Sequence, residues 1–90
     1  MNQNNSFSIN TVIEMLFADT QTRDISYNSF IPEIQNLQTK RSSIIIEKKN
    51  KNVLIFKIKN NDITAFRASM NEIISFGKII DNTIKLTNIS

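Results

Sequence analysis

Two runs of alternating character set what the middle of this chain can become. In residues 42–48, Ile44 and Ile46 share one side, while Ser43, Ile45 and Glu47 take the other, in line with Arg41 just before them. In residues 53–60, Leu54, Phe56 and Ile58 point one way and Lys57 and Lys59 the other. Successive side chains of a strand alternate between its faces, so a period of two predicts two strands here. Between them lies Lys48-Lys49-Asn50-Lys51-Asn52, where asparagine tolerates the positive φ that a tight turn demands. A lone hairpin with one apolar face is barely stable in water. The flanking segments must supply a cover for that face.

Downstream, Asp62 is a good N-cap and suits the positive end of a helix dipole. The predicted helix covers 62–76 or longer. Ile63, Phe66, Met70, Ile73, Ile74 and Gly77 form its apolar stripe, and Thr64, Arg67, Asn71, Ser75 and Lys78 a polar one. Ala65, Ala68 and Ser69 add a side of small residues. Gly77 is expected to loosen or end the helix, leaving Ile79, Ile80, Ile84 and Leu86 in an apolar tail. Upstream, residues 9–17 read as a strand, with Ile13, Met15 and Phe17 alternating with Glu14. Asp19 or Thr20 then caps a helix over 20–31, whose apolar members include Ile25, Tyr27, Phe30 and Ile31, followed by Ile34. Pro32 disfavours the α conformation of the residue before it, so the helix is ended there, with a connector over 33–40. Residues 1–6 are polar and expected to fray.

The order strand-helix-strand-strand-helix predicts one α+β domain over 1–90, a two-layer sandwich. A three-stranded antiparallel sheet carries both helices on one face and is KH-like in outline. Such a sheet has two open edges, and a 90-residue chain hides only a modest share of its surface. A dimer, with itself or with a paralogue, is therefore expected.

Composition removes most chemistry. There is no Cys and no His, which excludes disulfides, thiolate metal sites and the usual general base and zinc ligand. One Gly, at position 77, leaves no phosphate-cradling loop. The acids form no compact pair or cage. No catalytic residue, cofactor site or metal site is expected, and the chain reads as no enzyme. The N-terminal stretch has no basic region or unbroken apolar run, and nothing approaches the length of a membrane span, so a cytoplasmic protein without membrane contact is expected.

Charge is unevenly placed. The chain carries +3 overall, yet Lys40, Arg41, Lys48, Lys49, Lys51, Lys57 and Lys59 face only Glu47 within residues 40–59. A basic segment of this kind is a footprint for a polyanion. Arg41, Lys48, Lys49, Lys51, Lys57 and Lys59 are the candidate nucleic-acid contacts. The competing reading is that these lysines only solubilise the wet face of a sheet. A free-standing RNA-binding module of KH type would need a Gly-rich clamp loop, which the chain lacks.

The last helix carries a resemblance. Asp62-Ile63-Thr64-Ala65-Phe66-Arg67-Ala68-Ser69-Met70-Asn71 resembles the D-x-x-A-L-R-A-x-x-N pattern of the Pcc (CTAG/Pcc-type) family, the small dimerisation subunits of the KEOPS/EKC complex. Asp62, Ala65, Arg67, Ala68 and Asn71 match, while Phe66 replaces the usual Leu and Glu72 stands where a small residue is commoner. Ser29-Phe30-Ile31-Pro32-Glu33 and Arg41-Ser42 also resemble the family, and the likeness extends over residues 9 to 80. It implies a non-catalytic scaffold that pairs through its sheet. Its helices pack on the threonylcarbamoyl-transferase subunit, supporting threonylcarbamoyladenosine formation in tRNA. A diverged paralogue acting as heterodimer partner is the alternative. Phe66, Arg67, Met70 and Asn71 are the candidate docking residues, with Ile63, Met70 and Ile74 expected on the sheet. The rival role for Arg67 is an anchor within its own domain.

Overall fold

The computed structural model describes residues 8–80 and 83–89. The expectation that residues 1–6 fray lies outside them. The elements are β1 (Ile9–Leu16), α1 (Thr20–Leu37), β2 (Ser42–Lys49), β3 (Val53–Asn60), α2 (Ile63–Ile80) and β4 (Thr83–Ile89). All neighbouring strands are antiparallel, in the order β2-β3-β1-β4.

The three-stranded antiparallel sheet with two helices on one face is present, and β4 extends it beyond β1. The segment read as an apolar tail thus joins the sheet. Gly77 does not end α2, because it lies buried within a helix that continues to Ile80. Nor does Pro32 end α1, which runs on to Leu37. Proline removes the N–H that would reach the Asn28 carbonyl one turn back. Asn28 and Pro32 both lie exposed, where water can replace that bond. Ending the helix early would expose Ile34, which is 4% exposed in the core. Its burial outweighs one lost bond on the wet side.

Capping follows the sequence. The Asp19 carboxylate accepts from the Thr22 N–H at 2.7 Å, and Asp62 from the Ala65 N–H at 2.7 Å. These backbone bonds hold both carboxyls below the usual aspartate range, with Arg41 adding to the effect at Asp62. Asn50 supplies the positive φ of the hairpin turn, at 54°.

The core lies between helices and sheet. Ile13, Met15, Ile44, Ile46, Leu54, Phe56 and Ile58 form its floor, and Phe30, Ile34, Ile73 and Phe76 its roof. Polar groups close it at both ends of the hairpin. At the turn, buried Arg23 of α1 donates to the carbonyls of Lys49 at 3.2 Å, Asn50 at 3.4 Å and Val53 at 3.1 Å. At the far end, the Asn60 amide donates to Ser42 Oγ at 2.9 Å and Ser69 Oγ at 3.0 Å, joining β3, β2 and α2. Arg23 and Asn60 are clamps that alternation alone does not announce.

The outward edge of β2 is partly closed by one side chain. Gln38 donates through Nε2 to the Ile44 carbonyl at 2.6 Å and accepts the Ile44 N–H at 3.1 Å. Its amide fills the place of a neighbouring strand's peptide group. The Thr39 N–H adds a bond to the Ser42 carbonyl at 3.0 Å.

Candidate docking and nucleic-acid surfaces

Helix α2 presents different faces to different surroundings. The expected sheet-facing stripe is corrected: Ala65, Ser69, Ile73 and Phe76 are buried, whereas Ile63 and Ile74 are exposed, at 49% and 37%. The small residues seat the helix close to the sheet, and that rotates the larger aliphatics outward. Met70 is half-buried and packs on the rim of the core. Phe66 is also half-buried, and Arg67 and Asn71 are exposed. At helical spacing, Phe66, Met70, Ile63, Ile74, Arg67 and Asn71 fall on one continuous flank, so the four candidate docking residues are together. Arg67 makes no hydrogen bond or ion pair among the described residues, so its place as an anchor within the domain gains nothing here.

On the opposite flank, α2 and α1 border a groove of about 580 Å³. Its walls include Ile25, Ser26, Glu33 and Glu72, and its floor is Phe30 and Phe76. Those rings stack with centroids 4.5 Å apart. Ile25 is 59% exposed at the rim. The groove was not legible in the sequence, because it needs the spacing between two helices; an exposed isoleucine in an otherwise polar first half of α1 was its one trace.

The basic residues do not form one patch. Lys48 stands on the helix side of the sheet, 3.2 Å from Asp24 and over the Tyr27 ring at 4.9 Å. Arg23 and then Lys48 hold the Asp24 carboxyl below its usual range by hydrogen bonds. Lys49 pairs with Glu14 at 3.2 Å, and Lys57 with Glu47 at 3.0 Å. Arg41 pairs with Asp62 at 3.2 Å. Among the described residues Lys51 and Lys59, together with Lys40, carry no ion pair. Solvent-exposed pairs of this kind add little stability, yet each acid lowers the potential that its lysine offers to a polyanion.

Among the described residues no three His, Cys, Asp or Glu side chains gather as metal ligands, and no helix is long and apolar enough to cross a membrane.

The chain matches no protein-family model and no curated protein. Its fold does match solved structures. The de novo designed protein Foldit4 is 10% identical, with a TM-score of 0.71 over 92% of this chain and 96% of that one. The designed protein Ferredog-Diesel is 12% identical, with a TM-score of 0.57 over 98% and 91%. A dimeric ferredoxin-like protein from an uncultured marine organism is 11% identical, with a TM-score of 0.55 over 92% and 91%. At such identities the likeness concerns the fold alone, which is ferredoxin-like.

Proposed function

We propose that this chain is a non-catalytic dimerisation and scaffold subunit of the KEOPS type. It acts in the cytoplasm and holds the threonylcarbamoyl-transferase subunit in an assembly that modifies tRNA. The observation that carries the reading is the division of labour within Asp62–Asn71. Asp62 caps α2 and Ala65 seats it on the sheet, so the fold accounts for both. Arg67 and Asn71 are exposed beside Ile63 and Ile74, and neither side chain has a hydrogen bond or ion pair among the described residues. A planar multi-donor cation next to exposed aliphatics is the make-up of an interface hot spot. The groove floored by Phe30 and Phe76 gives a partner helix a second seat on the same layer.

Pairing with a second copy or a paralogue uses a sheet edge. The first half of the β2 edge is taken by Gln38, which favours the β4 edge, where Leu86 and Ile89 are 52% and 50% exposed. Antiparallel pairing there would cover both.

The test is co-purification. Wild-type chain expressed in its native cell should bring down the transferase with its companion subunits. Arg67→Ala with Asn71→Ala should lose it, with a penalty of roughly 2–5 kcal/mol if Arg67 meets a carboxylate that becomes buried. Recovery of the transferase at undiminished yield by the double variant sinks the proposal.

A further inference from the structure

We propose that the notch between the 39–43 segment and the end of β3 binds a phosphate of a nucleic-acid backbone. The notch has a volume of about 160 Å³ and is lined by Thr39, Lys40, Arg41, Ser43, Lys59 and Asn61. Three cations and several neutral donors thus share one small depression. The acid bonded there is Asp62, which takes one Arg41 nitrogen at 3.2 Å. A guanidinium has five N–H donors, so others stay available for an anion. Lys40 and Lys59 carry no ion pair among the described residues.

The frame is fixed before a ligand arrives. The Arg41 N–H donates to Thr39 Oγ1 at 3.0 Å, and the Asn61 N–H to the Arg41 carbonyl at 2.9 Å. Asn61 Nδ2 adds a bond to the Lys40 carbonyl at 3.3 Å. A loop tied on both sides loses little further freedom on binding.

What lies next to the notch favours a polymer over a free anion. Ser43 and Lys59 also line a shallow trough of about 290 Å³ on the outer face of the sheet, with Asn10, Val12, Ile45 and Lys57. A strand anchored by one phosphate would lay its sugar along these aliphatic side chains. The outer face of β1, β2 and β3 carries no aromatic ring for stacking, so the contact is independent of sequence. The inference deepens the tRNA contact implied by the scaffold reading and rests on it only for the choice of nucleic acid.

Fluorescence anisotropy on the full chain tests it, with a labelled oligouridylate and a labelled tRNA across a salt series. Lys40→Gln with Lys59→Gln should lower affinity for both probes about tenfold, and the log–log salt slope by roughly 0.7 for each cation removed. Both side chains are exposed and neither has a hydrogen bond or ion pair among the described residues, so folding is not at stake. The triple change Lys48→Gln, Lys49→Gln, Lys51→Gln should alter affinity by about twofold or less, as its first two lysines already face acids. No measurable binding by wild type at low salt overturns the inference. So does a loss from the turn triple equal to that from the notch pair, or displacement of RNA by inorganic phosphate at matched phosphate concentration. Transferase capture by the notch variant reports separately on the scaffold reading.

Discussion

The two ends of the β2–β3 hairpin carry similar numbers of cations and use them differently. At the turn, Arg23 is buried against three carbonyls, Lys48 lies on Asp24 and Tyr27, and Lys49 reaches Glu14. Charge there holds α1 to the sheet. At the other end, neutral groups do the holding, through Asn60, Ser42 and Ser69. That leaves Lys40 and Lys59 exposed and without an ion pair among the described residues. A cation already bound by its own domain has little left for a ligand, so the basic residues nearest in sequence to a tip are not the ones best placed to meet an anion.

The comparison can be broken most forcefully at Arg23. Arg23→Ala should destabilise the domain by about 3–5 kcal/mol, since it leaves carbonyls including that of Val53 without their donor in a buried place. Urea unfolding measures it, and a midpoint near wild type would mean that the turn is held by something else. Asn60→Ala comes next, at about 1–3 kcal/mol, because two buried hydroxyls lose their shared partner. If Asn60→Ala proved costlier than Arg23→Ala, the neutral end would be the stronger clamp and the contrast would reverse.

The smallest effect is that of pH. Asp19 and Asp62 have carboxyls lowered chiefly by backbone N–H bonds, and Asp24 chiefly by its bond from Arg23. A lowered folded-state value means stability that is present in full above the unfolded value, about 3.9, and is lost as pH falls through the folded one. Melting temperature should be flat from neutral to about pH 5 and decline below about pH 4. Asp62→Asn and Asp24→Asn should each flatten part of that decline, which would apportion it between the two ends. A profile unchanged by either substitution would remove both ends from the acid response.

Strands β1, β2 and β3, both caps and the Asn50 turn were legible, because each depends on local alternation or on a side chain bonding its own backbone. The helix through Pro32 was not. Local preference argues for a stop there, and only the burial of Ile34 at tertiary level overrides it. Strand β4 stayed hidden because Gly77 draws the expected helix end too early, which places Ile84 and Leu86 in a tail although Asp81-Asn82 is a turn-favouring pair just before them. In α2 the helix was legible and its rotation was not. Ala65 and Ser69 draw the helix inward by their small size, and hydrophobicity alone assigned Ile63 and Ile74 to the wrong side. The four candidate docking residues share one flank after that rotation, with Ile63 and Ile74 exposed beside them. The notch proposed for a phosphate was half legible, with Arg41 and Lys59 among the candidate contacts and Lys40 only in the basic segment, because its lining comes from segments on either side of the hairpin.

The Gln38 amide across Ile44 bears on stoichiometry. A protomer with two equivalent open borders can add copies without end, whereas one with a single receptive border is satisfied by a single two-fold mate. By standing in for a peptide group beside Ile44, one glutamine shortens the run of the β2 border on which a further copy could be laid.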